Sequence, residues 1–298
     1  MKKQAVKEKP LLVAIVGPNA SGKSALAIRI AQKFNGEVIS ADSRQVYKGL
    51  DIGSGKVTKK EMRGVLHHLL SIADPKKIYS VAKYQKDSTK IIKNILNKNK
   101  LPIVCGGTGF YVDSILYPTS FPAVSPNKTL RIKLYQKSPD ELYKILQKLD
   151  PRRAKTIDRN NPVRLIRAIE VAAVLGKVPA LNRMASPYRV LFIGLKPSDK
   201  ELRLRIQKRL VSRMKKGMVK EVRKLHKNGL SWKRLEELGL EYRFVAQYLQ
   251  EKITKEEMVR YIAVSNWQYA KRQITWFKRN LEIKWFSNSG DKKIFNLI

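Results

Sequence analysis

The sequence predicts an α/β fold, a P-loop-type parallel sheet flanked by helices with a small helical insertion. Three observations point there. Residues 11–16 and 101–105 are continuous apolar runs rich in β-branched side chains, the pattern of strands buried on both faces. Stretches with helical spacing, 24–34 and 80–97, alternate with the strand candidates, as in β-α-β units. Beyond Tyr117 the texture changes to short helical segments punctuated by proline.

The elements follow in order. Residues 1–10 form a charged lead-in, 11–16 the first strand and 24–34 the first helix. Residues 37–40 form a second strand ending at Ala41-Asp42. Residues 80–97 read as a long helix with Ile91, Ile92, Ile95 and Leu96 on its apolar side. The strand 101–105 closes on Gly106, Gly107 and Gly109. Pro118, Pro122 and Pro126 then mark a boundary, and 121–187 reads as the insertion, with helices at 128–137, at 140–149 and from Asn161-Pro162 to near Gly176. Asn161 suits an N-cap and Pro162 the first helical position. Residues 188–195 return as a strand, so 11–120 and 188–298 make one core domain around the insertion. The remainder is mainly helical. Trp267, Ala270, Ile274, Phe277 and Leu281 recur at three- and four-residue steps and predict a buried stripe.

The 298 residues carry 62 Lys+Arg against 24 Asp+Glu, a net charge of +38. That excess favours a polyanionic partner: nucleic acid, an anionic membrane surface or phosphorylated substrates. It is spread along the whole chain, so a compositional bias explains it equally well. The single cysteine, Cys105, excludes an internal disulfide, and three histidines are too few for a structural zinc cluster. No apolar run approaches the roughly 18 residues of a membrane span, and no signal peptide is read. The expected setting is the cytoplasm, with no membrane partner.

Gly17-Pro18-Asn19-Ala20-Ser21-Gly22-Lys23-Ser24 matches G-x-x-x-x-G-K-[ST] between a strand and a helix. Glycines let backbone N–H groups turn toward phosphate oxygens, and the helix N-terminus adds partial positive charge. Lys23 supplies a point charge and Ser24 a ligand for Mg²⁺. The motif states that a di- or triphosphate binds; it does not state which bond breaks. Asp42 ends the second strand, on the side where ligands of parallel sheets sit. It can hold Mg²⁺, act as a base, or cap a turn.

The residues that follow narrow the choice. Together with the phosphate motif, Ser40-Ala41-Asp42-Ser43-Arg44-Gln45-Val46-Tyr47 resembles the tRNA dimethylallyltransferase (isopentenyltransferase) family. Further matches run in order through Asp51-Ile52-Gly53, His67-His68-Leu69-Leu70, Tyr79-Ser80-Val81-Ala82 and Gly106-Gly107-Thr108-Gly109-Phe110-Tyr111. They continue through 164–170 to 270–277, RLIRAIE and AKRQITWF. The resemblance implies transfer of a dimethylallyl group from its diphosphate to the exocyclic nitrogen of the adenine 3′ of the anticodon, in tRNAs reading codons that begin with U. Pyrophosphate leaves. It implies that Gly17 to Ser24 hold the diphosphate, that Mg²⁺ assists at Ser24 and Asp42, and that Asp42 is the base. It places Thr108 near the reacting centre and Ser43, Arg44 and Gln45 at the target base. It implies tRNA contacts from Arg131, from Val163, Arg164, Leu165, Ile166 and Arg167, and from Arg272 and Trp276, in a protein that is usually monomeric. Two departures stand out: Arg44 where many relatives carry Met, and Asn161 where an Asp is frequent.

Packing explains some of these residues as well. Arg272, Trp276 and Arg279 share a helix stripe suited to phosphate contact and base stacking, but equally to a tryptophan at a core edge between solvated arginines. Arg205, Arg209 and Arg213 recur every four residues, and one can reach pyrophosphate; spacing does not choose among them. His67 and His68 read as structural, and Cys105 as a packed thiol. A small-molecule kinase on the same fold and a non-catalytic RNA-binding module are the rival functions.

Overall fold

The chain, here a computed structural model, is described for residues 8–180, 182 and 184–298; most of the lead-in 1–10 lies outside the described residues. The strands β1 (Leu11–Val16), β2 (Gly36–Ser40), β3 (His67–His68), β4 (Leu101–Gly106), β5 (Arg189–Leu195) and β6 (Lys284–Phe286) form one sheet in the order β3-β2-β4-β1-β5-β6. Every neighbouring pair is parallel. Both faces of β1 are covered. Leu12, Ala14 and Val16 pack into one apolar cluster, and Val13 and Ile15 into another. A strand with no wet side has no polar alternation, which is why it reads as an unbroken apolar run.

Helix α1 (Lys23–Lys33) leaves the end of β1, α2 (Val81–Asn97) leads into β4, and α3 (Gly109–Leu116) leaves β4. Ser80 caps α2 by accepting from the Lys83 N–H. The chain departs from β1 toward β2 and β4 on one side and returns to β5 on the other. This reversal opens a crevice at the carboxyl ends of β1, β2 and β4, where ligands of open parallel sheets bind. The two histidines are structural at β3: His68 Nε2 lies 2.7 Å from Glu37 Oε2, and Lys100 Nζ lies 2.9 Å from Glu37 Oε1.

The chain divides into two units, the described residues through Pro118 with Ala185–Ile298, and those of Thr119–Met184. The smaller unit is helical: α4 (Lys128–Tyr135), α5 (Pro139–Leu149) and α6 (Pro162–Leu175). Asn161 caps α6 by accepting from the Arg164 N–H, so the Asn departure keeps the helix start. Its apolar core contains Leu134, Leu142, Leu146, Leu165, Ile166 and Ile169. Beside that core lies Glu170, 1% exposed, which accepts from Arg131 Nε at 2.7 Å, Arg131 Nη2 at 2.8 Å and the Asn127 N–H at 2.8 Å. Burial pushes the Glu170 carboxyl up, but Arg131, the Asn127 N–H and Arg167 outweigh it and hold it below its ordinary value. Glu170→Ala leaves Arg131 without its partner and destabilises this unit by about 3–5 kcal/mol, read by urea denaturation. The carboxylate stabilises above its ordinary, unfolded pKa. Native stability therefore falls as pH drops through the lowered folded value, and the variant loses that part of the acid slope.

In the larger unit the second half is helical: α7 (Asp199–Lys215), α8 (Met218–Lys227), α9 (Leu240–Leu249) and α10 (Lys255–Phe277), with a shorter helix at Trp232–Leu238. Helix α10 begins with a capping box of Thr254 and Glu257. Its buried side is Met258, Ile262, Asn266, Ala270, Gln273 and Phe277. This corrects the predicted stripe at its ends and in its chemistry. Leu281 is 96% exposed because the helix has ended before it. Trp267 is half-buried, with Arg203 stacked 3.9 Å above its ring. Two of the buried positions are polar amides.

Candidate active site

Three strand ends converge. Beyond β1 lies the phosphate loop Gly17–Ser24; beyond β2 lie Asp42 to Gln45; beyond β4 lie Gly107 and Thr108. The Ala41 N–H donates to the Cys105 carbonyl at 2.8 Å, and the Thr108 N–H to the Ala41 carbonyl at 3.1 Å, so the exits of β2 and β4 are tied together. Gly17 has φ +138°, and a Cβ there would collide with the Leu195 carbonyl of β5. Only glycine allows the loop to leave β1 so close to its neighbour. A cleft of about 950 Å³ opens over these ends and is lined in part by Lys23, Ser24, Asp42, Arg44, Arg209, Tyr269 and Arg272.

Lys23 Nζ folds back on the Pro18 carbonyl at 2.6 Å. Burial lowers its pKa to about 8; Arg209 pushes the same way, while Cys105 and Asp42 push back. Cys105 lies at the end of β4, 8% exposed, and burial raises its thiol to about 11. It is therefore a protonated wall residue. The three arginines of α7 separate by their partners. Arg205 donates to the Ser21 carbonyl and to Glu201, and Arg213 to Glu241 and the Gly53 carbonyl. Arg209 has no hydrogen-bond or ion-pair partner among the described residues and lines the cleft. Burial and the adjacent Arg213 lower its pKa to about 10, which still leaves it charged at neutral pH.

Asp42 Oδ1 accepts from the Arg44 N–H at 2.8 Å and the Gln45 N–H at 3.2 Å. It is thus a turn cap through one oxygen. Oδ2 carries no hydrogen bond among the described residues and remains available as an acceptor. Thr108 Oγ1 accepts from the Ser43 N–H at 3.1 Å, fixing the threonine beside the Asp42 turn. Burial and the Asp42 charge raise the Tyr269 phenol to about 12, so it remains a donor. The Arg44 guanidinium has only a long hydrogen bond, 3.5 Å, to the Ser43 carbonyl and no acidic partner among the described residues. Gln45 reaches the Gly55 carbonyl at 3.4 Å.

The residues expected to meet RNA fall into different environments. Arg272 is exposed in the cleft, 5.8 Å from the Tyr269 ring. Trp276 is half-buried and packs on the backbone of Gly109, where a Cβ would enter the indole; Arg279 lies 5.4 Å from its ring. The core-edge reading of Trp276 therefore describes its packing. In the helical unit, Leu165 and Ile166 are core residues at 0% and 1% exposure, which removes their side chains from an RNA-facing surface. Arg131 and Arg167 are tied to Glu170, whereas Val163 and Arg164 face solvent. Asn266 and Gln273 escape a reading by residue type, because they are polar groups in the register of the buried stripe of α10; that register is their signal in the sequence.

Comparison with known proteins gives a consistent result. Residues 45–280 match the IPP transferase family. The chain is 41% identical over 290 residues to a tRNA dimethylallyltransferase of Carboxydothermus hydrogenoformans, covering 94% of this chain and 93% of that one. It is 44% identical over 282 residues to tRNA dimethylallyltransferase 2 of Treponema denticola, covering 92% and 94%. Among solved structures, the full-length tRNA isopentenylpyrophosphate transferase of Bacillus halodurans superposes with a TM-score of 0.73 at 35% identity, covering 97% and 94%. A eukaryotic dimethylallyltransferase acting on tRNA superposes with a TM-score of 0.80 at 26% identity, covering 96% of this chain and 76% of that one.

Proposed function

The chain belongs to the IPP transferase family, and from that premise we propose how its cleft performs tRNA prenylation. The reaction moves a dimethylallyl group from dimethylallyl diphosphate to the exocyclic N6 of an adenine in tRNA. The observation that carries the proposal is a free carboxylate oxygen on Asp42 in the same cleft as Lys23 and the phosphate loop. A cleft of about 950 Å³ has room for a small diphosphate and an unstacked base together.

The exocyclic amine is a weak nucleophile because its lone pair is delocalised into the ring. As N6 bonds to C1 of the dimethylallyl group, Asp42 Oδ2 takes the amine proton and the C1–O bond breaks. Its electron pair leaves on pyrophosphate. Charge grows on that group, so Lys23, the loop N–H groups and Arg209 stabilise the transition state more than the ground state. Arg209 is assigned this role because its guanidinium is uncommitted. Thr108 holds the Asp42–Ser43 turn in place. The adenine lies beside the turn bearing Ser43, Arg44 and Gln45, and the partner is the tRNA anticodon stem-loop.

Ser24 and Asp42 offer hard oxygen donors, and the described residues contain no group of three or more His, Cys, Asp or Glu able to hold a metal. That donor set suits Mg²⁺, which takes few protein ligands and shares substrate phosphates. Ser24 would hold it, with Asp42 in the same cleft; when bound it neutralises charge on the leaving group. No helix among the described residues is long and apolar enough to cross a membrane. We assign the working form as a monomer in the cytoplasm.

The test incubates the protein with unmodified tRNA, Mg²⁺ and dimethylallyl diphosphate, and analyses the digested RNA by mass for prenylated adenosine. Phosphorylation of an acceptor with ATP alone would instead support a kinase. For RNA binding, Arg272→Ala should lower the slope of log K against log salt by about 1 and leave pyrophosphate affinity unchanged. An unaltered slope removes Arg272 from the RNA contacts.

A further inference from the structure

We propose that Gln273 is a positioning residue for the diphosphate loop, clamping it between the RNA-side helix α10 and the end of β4. The inference rests on the reading of the loop as the prenyl-diphosphate site. Gln273 is 5% exposed. The Asn19 N–H donates to its Oε1 at 2.8 Å, and its Nε2 donates to the Gly107 carbonyl at 2.9 Å. One partner is a donor only and the other an acceptor only, so a single amide orientation satisfies both. No carboxylate or hydrocarbon of the same size does this at neutral pH.

The contact is built from both sides. A Cβ at Gly107 would occupy the space of the Gln273 amide, so glycine is required there by the clamp and not by backbone angle. About two helical turns before it, Asn266 Oδ1 accepts from Asn19 Nδ2 at 2.8 Å. Asn266 can present only its oxygen, because its Nδ2 is committed to Glu241 Oε1 at 3.0 Å and the Ile262 carbonyl at 3.1 Å. Glu241 is in turn held by Arg213 at 2.6 Å. The acceptor-only Glu241 carboxylate thus orients the Asn266 amide, the Gly107 carbonyl orients the Gln273 amide, and both amides meet Asn19.

Asn19 is in the first half of the loop, ahead of Lys23, and lines the same cleft. Its backbone N–H faces Gln273 and is spent there, which leaves the N–H groups nearer Lys23 to face the cleft. Loss of the clamp frees the first half of the loop. The ligand that pays for re-ordering is the diphosphate, not the RNA.

The experiment compares native protein with Gln273→Leu, Gln273→Glu and Gly107→Ala. It measures Kd for magnesium pyrophosphate by calorimetry, KM for dimethylallyl diphosphate and for tRNA, and the melting temperature. Gln273→Leu and Gly107→Ala should each raise the pyrophosphate Kd and the prenyl-donor KM by about tenfold, with tRNA KM within about twofold of native. Gln273→Glu should be weak at neutral pH, where its carboxylate opposes the Gly107 carbonyl. It should regain donor affinity as pH falls, because the protonated acid donates as the amide did. Folded variants with native pyrophosphate Kd, or with tRNA KM raised as much as donor KM, overturn the proposal. Native protein that binds pyrophosphate but forms no prenylated adenosine would reject the functional reading and leave the clamp measurable by calorimetry.

Discussion

Asp42→Asn lowers the turnover number by about a thousandfold, while tRNA and pyrophosphate affinities stay within about threefold of native. Asparagine is chosen because Asp42 does two things with two oxygens. Oδ1 caps the turn through the N–H groups of Arg44 and Gln45, and the amide oxygen of asparagine can keep both bonds. Oδ2 is the only part of the side chain assigned to proton transfer, and the substitution replaces it with a group that cannot accept the proton. Asp42→Ala removes both functions, so its further loss beyond Asp42→Asn measures the turn alone. Single-turnover rates at saturating donor separate the chemical step from release. A rate for Asp42→Asn near native would reduce Asp42 to a cap, and an equal loss of rate and RNA affinity would make it a binding residue.

Parts of this arrangement are legible in the sequence. The phosphate loop was legible because its backbone demands fixed residue types, and β1 and β4 because burial on both faces leaves no polar position. β3 and β6 were not, since His67–His68 and Lys284–Phe286 are too short to carry a period. Helix α3 is hidden in the sequence because the glycines before it read as the end of a strand. Hydrophobic spacing carries the stripe through to Leu281 because it does not record that α10 stops at Phe277. Asn266 and Gln273 illustrate the deeper limit. A polar side chain on a helix reads as solvent-facing unless its partner is known, and theirs is Asn19, 247 and 254 residues away. The α7 arginines show the same thing: equal spacing made them equivalent until Ser21, Glu201 and Glu241 claimed two of the three.

Lys23→Met lowers the turnover number by about 10²–10³-fold and weakens pyrophosphate binding, because it deletes one of the two charges assigned to the departing group while keeping a side chain of similar length. The pH dependence makes the prediction specific to this lysine. In the free protein burial holds its pKa near 8, whereas a bound diphosphate favours the charged form and raises it. Above about pH 8, binding must therefore take up a proton. Native affinity falls as pH rises beyond that point, by up to about tenfold per unit, and Lys23→Met shows no such fall until pH approaches 10, where Arg209 in the same cleft begins to lose its charge. Stability of the unliganded protein moves the other way. The unfolded lysine titrates near 10.5, so between about 8 and 10.5 the unfolded chain binds more protons and native stability rises with pH. Lys23→Met loses that rise as well. Opposite slopes for stability and affinity over one pH range, both abolished by one substitution, require a lysine that folding disfavours as a cation and the diphosphate restores. Calorimetric titration of pyrophosphate at pH 7, 8, 9 and 10, paired with urea denaturation at the same values, measures both. A native affinity that is flat across that range would mean that Lys23 stays fully charged in the empty cleft.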